Sequence, residues 1–201
     1  MVYQVPMLKP APPSRVLSLP NVLTYGRIAA VPAMVACFYV LADDARYWTA
    51  FGIFTAAGIT DFFDGYLARA WEQQSTLGRM LDPIADKLLV GAALIVLVAD
   101  RTIEGWSLWA AIIILCREIL VSGLREFLAE LKVSIPVTWL AKWKTAMQMV
   151  ALGMLLAGPA LDKHFPGTAM VGLAMLWIAA LLTLYTGYDY LKAGVRHAIE
   201  H

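Results

Sequence analysis

The sequence predicts an all-α integral membrane protein, six transmembrane helices around a cytoplasm-facing intramembrane cavity. Three observations carry that expectation. The 201-residue chain is 60% hydrophobic and 15% charged, with a mean hydropathy of +0.66, too apolar for an ordinary soluble domain. Its apolar residues come in blocks of about 20, the length that crosses a bilayer. Four aspartates, Asp61, Asp64, Asp82 and Asp86, fall inside two of those blocks, where a carboxylate is costly unless paired or facing a polar cavity.

The first helix is expected at 20–42, after a proline-containing segment that lacks the continuous apolar run of a cleavable signal peptide. Asp43-Asp44-Ala45-Arg46 separates it from a second helix at 47–69, and Trp71-Glu72-Gln73-Gln74 separates that from a third at 79–99. Asp100 to Gly105 precedes a fourth at 106–127, Lys132 to Pro136 a fifth at 139–158, and Gly158 to Gly167 a sixth at 168–193. One membrane domain, 19–194, is therefore expected, with an N-terminal cytoplasmic or interfacial segment at 1–18 and a short tail at 195–201. No internal repeat or low-complexity tract interrupts it.

Orientation follows from the basic residues. With the N-terminus inside, thirteen of the sixteen Lys and Arg residues lie in the cytoplasmic half, and only Arg46, Arg101 and Lys163 face out, as the positive-inside rule requires. Both termini and the loop between the second and third helices are then cytoplasmic. A net charge of +1 gives no case for nucleic-acid binding. Cys37 and Cys116 lie in apolar spans without metal-ligand spacing, so packing and no disulfide is the expectation. The three histidines sit in a loop or the tail, with no Ser/His/Asp arrangement around them.

The carboxylates form a pattern. On a helix, Asp61, Asp64, Gly65 and Ala68 occupy one stripe, and Asp82 and Asp86 are i, i+4 neighbours. Folding the two segments as an antiparallel helical hairpin sets Asp61 opposite Asp86, and Asp64 near Asp82. Carboxylates about 5 Å apart repel by roughly 3 kcal/mol per pair at an effective dielectric near 20, so the ionised cluster calls for cations. Oxygen ligands without Cys or His favour hard divalent ions, Mg2+ or Mn2+, and four carboxylates suit two of them. Gly65, Ala68 and Gly78 remove bulk where a ligand could lie against the helices, or serve helix packing. Arg69 suits phosphate oxygens or a membrane flank.

Asp61-x-x-Asp64-Gly65-x-x-Ala68-Arg69-x8-Gly78-x-x-x-Asp82-x-x-x-Asp86 resembles the complete signature of the CDP-alcohol phosphatidyltransferases, with every spacing intact. The resemblance implies transfer of a phosphatidyl or related group from a CDP-linked donor to an alcohol, with release of CMP. It implies a metal site at the four aspartates, and a CDP-lipid site formed by Gly65, Ala68, Arg69 and Gly78.

A second constellation, Arg117, Glu118, Arg125, Glu126, Lys142 and Lys144, clusters around the fourth helix and the start of the fifth. The glutamates and Lys144 fit an internal salt-bridge network as well as a ligand site. Arg117, Arg125 and Lys142 are the expected binders of an acceptor that already carries phosphate. Arg117 to Glu126, Trp139 to Met149, and Pro20-Asn21-Val22-Leu23-Thr24-Tyr25-Gly26-Arg27 are similar to the bacterial phosphatidylglycerophosphate synthases within the family. That similarity implies CDP-diacylglycerol as donor, sn-glycerol 3-phosphate as acceptor, Asn21 and Thr24 on the donor's nucleotide-phosphate portion, a homodimer, and the bacterial inner membrane. Asp86 is the expected base for the acceptor hydroxyl. Two alternatives stand beside this reading: another phosphorylated acceptor such as inositol phosphate, and a cation path lined by the aspartates.

Overall fold

The structure, a computed structural model, describes residues 19–70, 76–130 and 139–199. The side chains of 20, 62–70, 76, 77, 79, 130, 140–142, 189, 190 and 193–199 lie outside that description. Six helices fill it: α1 (Leu19–Val40), α2 (Asp43–Ala70), α3 (Thr76–Ala99), α4 (Ser107–Glu130), α5 (Trp139–Leu161) and α6 (Thr168–Ile199). Helix α2 starts earlier than expected because Asp43 and Asp44 occupy its first turn. Acidic residues there meet the positive end of the helix dipole, so they begin the helix instead of breaking it. Helix α6 continues past its apolar stretch to Ile199.

Among the described residues, four helices are long and apolar enough to cross a membrane, over Asn21–Val40, Ser107–Ala129, Trp143–Leu161 and Thr168–Tyr188. The other two, α2 and α3, carry the aspartates and their basic neighbours, which dilute their apolar character. Large apolar side chains cover the outside, among them Ile95, Ile119, Met170 and Leu181. Trp106 and Trp109 mark one end of the bundle and the edge-to-face pair Trp139 and Trp143 the other, the aromatic belts of a membrane protein.

The core is built from Met34 and Cys37 of α1, Phe54 and Ala57 of α2, Leu89, Leu94 and Leu97 of α3, Ile114 of α4, Leu152 and Leu155 of α5, and Leu176 and Ala180 of α6. Hydrocarbon outside the bundle is as apolar as its interior, so close packing and small residues hold such helices together. Among the described residues α5 and α6 form the most extensive contact, where a Cβ on Gly172 would stand 3.0 Å from Leu155 and one on Gly158 3.5 Å from Ala169. Cys37 is buried, whereas Cys116 faces outward instead of packing. It falls on the lipid-facing stripe of α4 beside Ile112, Ile119 and Leu120.

The pairing expected of the second and third helices sets Asp61 and Asp86 in one cavity, with a further helix beside them. Among the described residues α2 and α3 touch only lightly, while α1 packs extensively against both. Helix α1 is thus wedged beside the carboxylates and supplies part of their surroundings. At the opposite end, Lys163 pairs with Asp44 at 2.6 Å. There also Tyr47 donates to Asp100 Oδ2 at 3.1 Å while Arg46 donates to the Tyr47 oxygen at 3.0 Å. These contacts gather the α1–α2, α3–α4 and α5–α6 connections at one end.

Candidate active site

A cavity of about 800 Å3 opens among α2, α3, α4 and α5, lined by Asp61, Asp86, Lys87, Arg117, Glu118, Arg125 and Lys144 together with Gly58 and Met149. It brings two predicted aspartates and two predicted arginines to one space. Asp61 and Asp86 act on each other electrostatically, and so do Asp61 and Asp82, so the three described carboxylates converge although α2 and α3 scarcely touch. Asp64, Gly65, Ala68 and Arg69 lie on the last turns of α2. Their side chains are outside the described residues, as is that of Lys142 on α5. Gly78, near the start of α3, is buried.

Helix α1 faces this cluster with three buried polar side chains, Asn21, Thr24 and Arg27. The Thr24 hydroxyl donates to Asp82 Oδ1 at 2.6 Å, so Thr24 acts on a carboxylate. Arg27 Nη1 stands 2.7 Å from Asp61 Oδ1, with the arginine side chain fully enclosed and the aspartate 46% exposed. Pro83 deprives α3 of one backbone donor between Asp82 and Asp86, and Lys87 Nζ bonds the Pro83 carbonyl at 2.8 Å. The described part of the cluster offers carboxylate oxygens without sulfur or imidazole, the chemistry that suits hard divalent cations, but among the described residues no group of three or more such side chains is close enough to hold an ion, and the side chain of Asp64 lies outside them.

Across the cavity, Lys144 of α5 donates to Glu118 Oε1 of α4 at 2.5 Å. Arg117 reaches the same oxygen at 3.2 Å through Nη1 and Thr186 of α6 at 3.2 Å through Nη2. Thr186 in turn donates to the Leu182 carbonyl at 2.9 Å. Gly187 makes room for this arrangement, since a Cβ there would lie 3.3 Å from Arg117 Cγ. The salt-bridge network considered for Glu118 and Lys144 therefore exists, and it forms a wall of the cavity. Arg125 lies about 12 Å from Arg117 along the helix at 1.5 Å per residue, on an exposed part of the same cavity.

Sequence reasoning gives Arg27 no role at the site: it stands among the cytoplasmic charges and ends the family-like segment 20–27. Its depth inside an apolar span, three residues beyond Thr24 and six beyond Asn21, was the available signal. It also left Lys87 without a role. Beside the polar cavity, a second, apolar cavity of about 710 Å3 runs between α2 and α5, lined by Trp48, Phe51, Phe54, Ile59, Val150, Met154 and Leu161. The two meet at Gly58 and Met149, which line both. A Cβ on Gly58 would come within 2.9 Å of Met149 Cε, so the absence of a side chain keeps that neck open.

The model of the CDP-alcohol phosphatidyltransferase family matches residues 17–185. A Rickettsia bellii protein named CDP-diacylglycerol--glycerol-3-phosphate 3-phosphatidyltransferase is 49% identical over 176 residues, covering 88% of this chain and 94% of the relative. Proteins of the same name from Cereibacter sphaeroides (39% over 209 residues, 87% of this chain and 94% of the relative) and Haemophilus influenzae (41% over 177 residues, 87% and 92%) are similar along the same length.

Proposed function

The chain belongs to the CDP-alcohol phosphatidyltransferase family, and from that membership we propose that it transfers the phosphatidyl group of CDP-diacylglycerol to sn-glycerol 3-phosphate, giving phosphatidylglycerophosphate and CMP. One observation carries the choice of acceptor: the cavity that holds Asp61 and Asp86 is walled on its far side by Arg117, Arg125 and Lys144. An acceptor bearing its own phosphate needs such a wall, and an uncharged alcohol does not. The names of the relatives support the same donor and acceptor.

The residues divide the work as follows. Asp61, Asp64, Asp82 and Asp86 would hold two divalent ions, Mg2+ or Mn2+, whose positive charge would offset the negative charge of the donor's pyrophosphate and the leaving CMP. Thr24 fixes Asp82 through its hydrogen bond. Asn21, Thr24, Gly65, Ala68, Arg69 and Gly78 form the surroundings of the CDP moiety. Arg117 and Arg125, with Lys142 from the start of α5, bind the acceptor phosphate and align its hydroxyl. That hydroxyl oxygen forms a bond to the phosphorus carrying diacylglycerol, the bond from that phosphorus to CMP breaks, and Asp86 takes the hydroxyl proton. An acyl chain lies in the apolar cavity between α2 and α5, entering at the Gly58–Met149 neck.

The site opens to the cytoplasm, with six spans crossing a bacterial inner membrane, both termini inside, and 19–194 acting as one membrane domain, in a homodimer. The positive-inside distribution and the gathering of Arg46 and Lys163 at the opposite end support that orientation. Release of CMP by purified protein, measured with glycerol 3-phosphate, glycerol and inositol phosphate as acceptors, tests the reading. Preference for inositol phosphate would move the assignment to another member of the family.

A further inference from the structure

The mechanism leaves one buried charge unused. The Arg27 side chain is fully enclosed, within an apolar span of α1. A guanidinium stays protonated in proteins, and enclosing it is costly unless a negative charge compensates. Asp61 at 2.7 Å, a carboxylate that is itself half open to the cavity, supplies part of that compensation. The contact is one of charge and lacks the alignment of a hydrogen bond. Arg27 acts on Asp86 as well, so its field reaches both described aspartates of the cavity wall.

We propose that Arg27 is a positioning residue that serves as the resident counter-cation of the carboxylate cluster: it steadies Asp61 when divalent metal is absent and shares that carboxylate with an arriving ion. The proposal rests on the metal-binding reading given above. Mutual repulsion among Asp61, Asp82 and Asp86 would otherwise destabilise the metal-free cavity, and Thr24, a neutral donor, relieves only part of it at Asp82. A fixed positive charge has a second effect. It repels divalent ions held a few ångströms away, so Arg27 keeps metal affinity lower than the carboxylates alone would set it, and the ions remain exchangeable.

The test uses the full-length protein in detergent, with Mn2+ as the probe, and reads thermal stability and Mn2+ affinity. Arg27→Gln is expected to lower the melting temperature without metal, to regain most of that loss in saturating Mn2+, and to bind Mn2+ at least about tenfold more tightly, the sense fixed by removing a like charge. Arg27→Lys, which keeps the charge, is expected to stay near the parent in both. Combining Arg27→Gln with Asp61→Asn, measured without metal, should be more stable than Arg27→Gln alone, because the partner left unpaired has been neutralised. Equal loss of stability with and without Mn2+, at unchanged affinity, would overturn the proposal and leave Arg27 a packing residue. So would a double variant no more stable than the single one, a comparison that also decides the matter if Arg27→Gln alone does not fold. A parent protein that binds no Mn2+ would instead remove the metal reading, and the metal-free double-variant comparison would still judge the Arg27–Asp61 pairing by itself.

Discussion

Replacing Arg117 with alanine tests the acceptor wall most informatively, because the structure fixes what the guanidinium touches. It is held by Glu118 and Thr186, each at 3.2 Å, and passes over Gly187, so its position at the cavity is prearranged. Losing a charge-assisted contact to the acceptor phosphate costs about 1.5–3 kcal/mol, or roughly ten- to hundredfold in the Michaelis constant for glycerol 3-phosphate. A second effect has the same sign: Glu118 loses one of the cations that act on it and keeps its ion pair with Lys144, so the wall becomes more negative toward a phosphate. Steady-state CMP release, with each substrate varied in turn, separates the two constants. The constant for CDP-diacylglycerol should move far less than that for glycerol 3-phosphate. A defect confined to the CDP-lipid, or an equal rise in both, would refute the assignment of Arg117 to the acceptor.

Further outcomes follow from the same geometry. Asp61→Asn or Asp82→Asn should nearly abolish CMP release while leaving a folded membrane protein, checked by gel filtration and circular dichroism; near-normal turnover in either would contradict a shared ion site. Asp86→Asn should lower kcat by about 10²-fold or more while changing donor affinity little, as removal of a general base does; collapse of donor binding without a separate catalytic loss would make Asp86 a ligand only. Gly58→Leu fills the neck where a Cβ already comes within 2.9 Å of Met149. It should raise the Michaelis constant for long-chain CDP-diacylglycerol and spare that for glycerol 3-phosphate, and an unchanged lipid constant would dissociate the apolar cavity from the acyl chain.

The helices were legible because apolar blocks of bilayer length are separated by charged connections; local electrostatics moved one boundary, at Asp43 and Asp44, and elsewhere helices such as α5 and α6 run past their apolar blocks, which hydropathy does not mark. The carboxylates were legible because Asp in an apolar span has few reasons to exist. What periodicity could not give was neighbourhood. The stripe of Asp61 and the pair Asp82 and Asp86 define which face of each helix is polar, yet not that α1 packs against both. The roles of Thr24 and Arg27 follow from that wedge. Glu118 and Lys144 show the same gap: their charges suggested a network, but that the network would line the cavity with Arg117 depended on α4, α5 and α6 meeting there. The apolar cavity between α2 and α5 was not legible at all, since Gly58 and Met149 become a neck only when the two helices pack.

The central claim is a metal-dependent transfer to a phosphorylated acceptor, and one measurement addresses it directly: CMP release by the purified protein from CDP-diacylglycerol, with glycerol 3-phosphate or plain glycerol, in Mg2+ or Mn2+ and after chelation. The account predicts release with glycerol 3-phosphate, little with glycerol, loss on chelation, and recovery when the metal is restored. Equal use of glycerol would contradict the acceptor wall, and full activity after chelation would contradict the role given to the four aspartates.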